Sequence, residues 1–255
     1  MGRFETTART YAARREPYPK AFFAAVAEAL KLNGREALID LGTGPGLLAF
    51  GFAPYVGPIL GVDPEPAMVA EARRASDESN VPFPIIEGRA EDLAADLGPF
   101  DLATIGRALH WMDREATLAA FDRILAPHGR IVICGSSSLS GEANPWREAY
   151  DSVLRSWGDG RGGRHRRLHE HWFDGTRFAR VAEIKVSHSQ EITPDALFER
   201  ALTRSTSSPA VLGERVTAFR AELLEALAPY FPQSVGHEVV EARAWVFAAA
   251  FTPPL

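Results

Sequence analysis

A chain of 255 residues, 46% hydrophobic and 24% charged, has the size and make-up of one large α/β domain or two small ones, enough to bury a substantial core. Its formal charge of −5 argues against a dedicated nucleic-acid binder, which needs many clustered Lys and Arg, and the single Cys134 excludes an internal disulfide framework or a cysteine-rich metal site. No apolar run approaches the roughly 20 residues of a membrane helix, and Met1–Thr10 lacks the apolar core of a signal peptide, so a cytoplasmic location is expected.

The first half alternates short apolar runs with longer amphipathic ones. Ala37–Leu41 reads as a buried strand, Gly42–Gly46 as a glycine turn and Leu47–Tyr55 as a short helix. Ile59–Asp63 is a second strand, followed by helical spacing over Pro66–Ser79 with Met68, Val69 and Ala72 on one face. Phe83–Ile86 and Phe100–Gly106 are the third and fourth strands; Arg114–Leu125 is a helix striped by Leu118, Phe121, Ile124 and Leu125; Arg130–Cys134 is the fifth strand. Continuously apolar strands separated by helices indicate a parallel sheet covered on both faces, the doubly wound α/β plan. Ser136–Gly175 is irregular, rich in Gly, Ser, Arg and Trp, with helical potential at Trp146–Trp157. A strand over Val181–Gln190, helices over Pro194–Thr203 and Pro209–Ala228, and a strand over Glu238–Phe247 complete and cap the same sheet. The division expected is one domain over 1–255: an N-terminal helical lid (1–34), a cofactor-binding core (35–135) and a substrate-capping segment with the last strands (136–255).

The strongest local motif is Leu41-Gly42-Thr43-Gly44-Pro45-Gly46, between a strand and a helix. Glycine there permits positive φ and close approach of backbone to a ligand. Asp40 belongs to the strand before it, and Asp63 ends the next strand, where an acid can accept hydrogen bonds from both ribose hydroxyls of an adenosine. A nicotinamide fingerprint needs a third glycine where Leu47 stands, and Pro45 removes a backbone donor for a pyrophosphate. The turn therefore favours an adenosine ligand without a diphosphate.

Taken with their neighbours, these residues resemble the class I S-adenosylmethionine-dependent methyltransferases. Asp40–Gly46 is similar to motif I of that family, with Gly42, Thr43 and Gly44 in the turn. Gly61-Val62-Asp63-Pro64 with Met68 resembles motif II, the ribose contact and its helix. Gly88–Leu93 resembles the segment whose Ala90 and Glu91 would flank the adenine ring and its amino group. Phe100-Asp101 with Arg107–Trp111 resembles motif IV, and Leu125–Arg130 the turn before strand five, with His128 replacing a glycine. Tyr11, Arg14–Pro19 and the His110-Trp111 pair resemble the small-molecule branch, which includes trans-aconitate-type and natural-product enzymes. The resemblance covers roughly 8 to 135. It implies a Rossmann-like sheet of seven strands with the last antiparallel, S-adenosyl-L-methionine as cofactor, and transfer of its methyl group to a small-molecule acceptor. It also implies Arg107 beside the methionine moiety and Tyr11 folding over the cofactor.

Transfer from an activated sulfonium mainly requires alignment of nucleophile and methyl carbon. His110, whose ordinary pKa lies near neutrality, is the candidate general base, and also a candidate for acceptor binding with Trp111, Trp146 and Trp172. His165, His169 and His171 lack a carboxylate placed to complete a metal site, so no metal is expected. Arg155, Arg161, Arg164, Arg166 and Arg167 form the one basic stretch, flanked by Trp157 and Trp172. That stretch keeps an RNA methyltransferase as an alternative, beside a dinucleotide oxidoreductase and a non-catalytic cofactor-binding protein. The oligomeric state and the methylated atom are not legible in the sequence.

Overall fold

The apolar runs of the first half become the parallel strands of one twisted sheet. The computed structural model describes residues 15–79, 81–158, 171–204 and 206–250. Its strands are β1 (Leu38–Leu41), β2 (Ile59–Asp63), β3 (Ile85–Glu87), β4 (Phe100–Gly106), β5 (Leu125–Ser138), β6 (Phe178–Ile192) and β7 (Gly236–Ala249). They lie in the order β3-β2-β1-β4-β5-β7-β6. The pairs β1–β2, β2–β3, β1–β4 and β4–β5 are parallel, while β7 runs antiparallel between β5 and β6. The order reverses between β1 and β4, and a crevice opens beyond the carboxyl ends of strands at such a switch point.

The helices are α1 (Lys20–Leu30), α2 (Leu47–Phe52), α3 (Pro66–Glu78), α4 (Arg114–Ile124), α5 (Arg147–Trp157), α6 (Pro194–Leu202), α7 (Pro209–Leu212) and α8 (Val216–Leu227). Because alternate residues of a strand face opposite sides, Leu38 and Ile39 enter different cores. One core joins Leu38 to Phe22, Val26, Phe52 and Val246; the other joins Ile39 to Ile105, Phe121, Ile133 and Phe247. A third, built from α5, α6 and α8, holds Tyr150, Leu197, Phe219, Leu223 and Leu227 above the sheet as a cap. Helix α1, expected within a lid, packs as a core layer, with Phe22 and Val26 wholly buried. Helix α4 starts on Asp113, whose carboxylate accepts from the Ala116 amide at 2.9 Å, and α6 starts on Thr193, which caps Ala196 in the same way.

Several boundaries differ from the sequence reading. The third strand starts at Ile85 instead of Phe83, because Pro82 and Pro84 have no amide hydrogen to give a ladder. The fifth runs from Leu125 to Ser138, since antiparallel pairing with β7 continues through Ser138. The expected helix over 209–228 is broken at Gly213, whose φ of 56° a helix does not accommodate. Among the described residues, no helix is long and apolar enough to cross a membrane.

Candidate active site

The turn after β1 is stitched to the sheet by its own backbone. The Gly42 and Thr43 amides both donate to the Val62 carbonyl, at 2.8 and 3.0 Å, and the Gly46 amide closes on Thr43 O at 2.9 Å. Two glycines matter for different reasons. Gly42 has φ 65°, and a Cβ there would sit 2.4 Å from the Ala108 side chain, so the turn can touch the loop after β4 only without one. Gly44 has φ 54°, and a Cβ there would meet nothing within 4 Å: its face is open to the crevice.

That crevice is a cavity of about 320 Å³ lined by Asp40, the 42–45 turn, Asp63, Met68, Ala90, Glu91 and the 106–108 loop. Asp63 stands where the turn and β2 meet. Its Oδ2 accepts from the Gly44 amide at 2.8 Å and its Oδ1 from the Glu65 amide at 2.9 Å. Burial pushes its pKa up, and those two amides hold it back. Asp40 lies below, 1% exposed. Its two oxygens accept from Thr43 Oγ1 and Thr104 Oγ1, each at 2.7 Å, so it clamps the turn to β4. Burial lifts its pKa to about 6 against those two hydroxyls. Glu91 accepts from the Asp113 amide at 2.8 Å and pairs with Arg89 at 2.9 Å. Burial raises its pKa, but Arg89 and the Asp113 amide bring the balance below the ordinary value.

The structure thus brings together Asp40, Gly42, Thr43, Gly44, Asp63, Pro64, Met68, Ala90, Glu91, Arg107 and Trp111 around one cavity. His110 shares a short 3₁₀ turn with Trp111, their rings 4.6 Å apart, and sits beside the cavity without lining it. Trp111 itself is 48% exposed at the cavity wall. The expectation for Trp146 and Trp172 is not met. Trp146 is 2% exposed and packs on Tyr150 and Phe231; Trp172 is 3% exposed and packs on Phe173. Both complete cores, because a large ring gains most where it is covered on every side. Tyr11, His165, His169 and Arg161–Arg167 lie outside the described residues; His171 is exposed and bonds Asp174 at 2.9 Å. Tyr18 and Met112 line the cavity and Glu16 lies buried behind Arg107, none of them singled out as a site residue from sequence. Tyr18 and Glu16 stand in the quoted Arg14–Pro19 motif, but nothing in their spacing says which way they face.

Residues 39–133 match the family described as Methyltransferase domain. The chain is 33% identical over 106 residues to the ribosomal protein L11 methyltransferase of Thermus thermophilus, covering 41% of this chain and 40% of that one. It is 33% identical over 99 residues to a demethylmenaquinone methyltransferase of the same species, covering 38% and 45%. The matches span less than half the length of these relatives. A solved S-adenosylmethionine-dependent methyltransferase from Thiobacillus denitrificans, in complex with S-adenosyl-L-homocysteine, shares the fold with a TM-score of 0.57 at 16% identity. That superposition covers 98% of this chain and 99% of the other. The segment 39–133 is thus similar to methyltransferase domains, and the whole chain shares the fold of the solved enzyme.

Proposed function

We propose that the chain transfers a methyl group from S-adenosyl-L-methionine to a small-molecule acceptor. The observation that carries this reading is the cavity at the β1/β4 switch point, where the open face of Gly44 adjoins the Asp63 carboxylate. The residues fit such a donor. Asp63, with an oxygen on each side bonded to backbone, offers its remaining lone pairs to the ribose hydroxyls. Met68 and Ala90 supply apolar walls for the adenine, and Glu91 an acceptor at its edge. Asp40, Asp63, Glu65 and Glu91 make the lining acidic, which suits a donor with a positive sulfur. Arg107, in the loop after β4 and lining the cavity, is the cation for the donor's carboxylate, the role that the family resemblance implies for it. When bound, the donor supplies an activated methyl on a sulfonium, whose departing sulfur needs no protonation.

The protein's part is to bind, orient and exclude water. Trp111 presents an exposed aromatic face at the wall for the acceptor, a role aromatic side chains fill in small-molecule sites. His110 is the group in reach of that wall able to take a proton from an oxygen or nitrogen nucleophile. Pro45, which lacks an amide donor for a pyrophosphate, and Leu47, where a third glycine would stand, favour this reading over a dinucleotide oxidoreductase, and the acid-lined cavity favours it over an RNA acceptor.

The test is a thermal shift followed by turnover. S-adenosylhomocysteine raises the melting temperature and NADH does not; no shift with S-adenosylhomocysteine refutes the reading. On an acceptor panel, His110→Ala lowers turnover by about a hundredfold, the scale of general-base catalysis, with donor affinity unchanged. Equal turnover in both proteins removes His110 as base.

A further inference from the structure

Arg107 is held in the cavity wall by more than its own strand. Its backbone adopts φ 59°, a left-handed conformation that a residue with a Cβ takes up only when its surroundings impose it. The Arg107 amide donates to Cys134 O at 3.3 Å. The guanidinium lies 4.8 Å from the Tyr18 ring centre, and Nη2 donates to the Glu16 carbonyl at 2.5 Å and to Ser136 Oγ. Ser136 Oγ donates to the same carbonyl at 2.7 Å. Glu16 therefore turns its main chain toward the cavity side.

Its carboxylate points into the cap. Glu16 is 4% exposed and pairs with Arg204, 3.6 Å away, just beyond α6. Arg200 on α6 is fixed by Glu238 through contacts of 2.5 and 2.9 Å. Arg15, next in the chain, bonds Thr203 O at 3.0 Å. Burial raises the Glu16 pKa, but Arg204, Arg200, Arg107 and Arg15 together bring it down to about 2, so the carboxylate is ionised at neutral pH. One side chain thus ties the N-terminal segment to the cap, and its own carbonyl ties that segment to a cavity-lining cation.

We propose that Glu16 is a positioning residue for the donor: its carboxylate, anchored among the arginines of the cap, fixes the carbonyl that holds the Arg107 guanidinium where the donor's carboxylate arrives. The proposal rests on the donor-site reading above. It separates a loss of carboxylate recognition from a general loss of fold, because the adenosine end of the cavity, at Asp63, Met68 and Ala90, is built by other elements.

Calorimetry with two ligands tests it. S-adenosylhomocysteine carries the amino-acid carboxylate; 5′-methylthioadenosine keeps the adenosine and a thioether without it. Glu16→Gln weakens S-adenosylhomocysteine about tenfold and 5′-methylthioadenosine by less than about twofold, the difference expected for one charge-assisted contact. Ser136→Ala, which deletes a single hydroxyl from the same clasp, gives the same split and keeps the test alive should Glu16→Gln fold poorly. Equal losses for both ligands, or undiminished binding of S-adenosylhomocysteine in both variants, overturn the proposal. A wild-type protein that binds neither ligand overturns the donor reading itself.

Discussion

Asp40 beneath the cavity and Glu16 at the cap junction are both almost wholly buried, 1% and 4% exposed, yet their pKa values move in opposite directions, to about 6 and about 2. Asp40 receives two neutral hydroxyls, from Thr43 and Thr104, and burial outweighs them. Glu16 suffers the same burial, but Arg204, Arg200, Arg107 and Arg15 overcome it. Glu238, fully buried against Arg200, Ser138 and Gln190, follows Glu16: burial raises its pKa and Arg200 more than reverses that. The contrast teaches that hydroxyl donors orient a carboxylate without holding its charge, while guanidinium groups do both. The cavity half uses its acids to shape a turn; the cap half uses paired charge as a fastener.

The largest expected effect lies at the fastener. Glu238→Ala removes the carboxylate bonded to both terminal nitrogens of the buried Arg200 guanidinium, and should cost about 3–5 kcal/mol of stability by denaturant unfolding, as broken buried pairs do. Donor affinity of the folded variant should be retained. A loss under about 1 kcal/mol would show that water reaches Arg200 and would blunt the contrast.

Asp63→Ala should behave in the opposite manner. It removes the charged acceptor proposed for the ribose, so S-adenosylhomocysteine should bind about 10–100-fold more weakly by calorimetry, the range for a hydrogen bond to a charged group. The unfolding midpoint should move less than in Glu238→Ala, since only the Gly44 and Glu65 amides lose a partner near solvent. Unchanged affinity would end the assignment of Asp63 to the ribose.

The two halves should also show a pH dependence of opposite sign. The Asp40 pKa is raised in the fold, so its contribution to stability is present below 3.8 and is lost as pH climbs through about 6. Glu16 runs the other way: its contribution is present above 4.5 and is lost as pH falls toward about 2. Asp40→Asn, neutral at every pH, should therefore gain on the wild type between about pH 4 and about pH 7 in urea titrations. Parallel stability profiles for the two proteins would mean that Asp40 stays charged at little cost.

Much of the site was legible because its chemistry is local. The glycine turn, Asp63 at the end of the next strand, and Ala90-Glu91 after the third are each specified within a few residues of a strand end, and the parallel sheet then gathers strand ends at one edge. The Trp146 and Trp172 expectation failed because composition does not distinguish an aromatic ring that lines a pocket from one that fills a core. The Glu16 clasp was hidden for a related reason. Its partners stand 91 residues away at Arg107 and 120 away at Ser136, and on the cap at Arg204.

By itself, then, the sequence determined the strand–turn–helix units, the doubly wound plan and the glycine-turn end of the cavity, since short-range hydrophobic periodicity and backbone permissiveness at glycine act over a few residues. Tertiary structure alone decided how far β5 extends along β7, where the 209–228 helix breaks, which aromatics are walls and which are core, and which of the buried acids keep their charge. Those outcomes depend on burial and on distances between residues far apart in the chain, quantities that exist only once the sheet has closed against its cap.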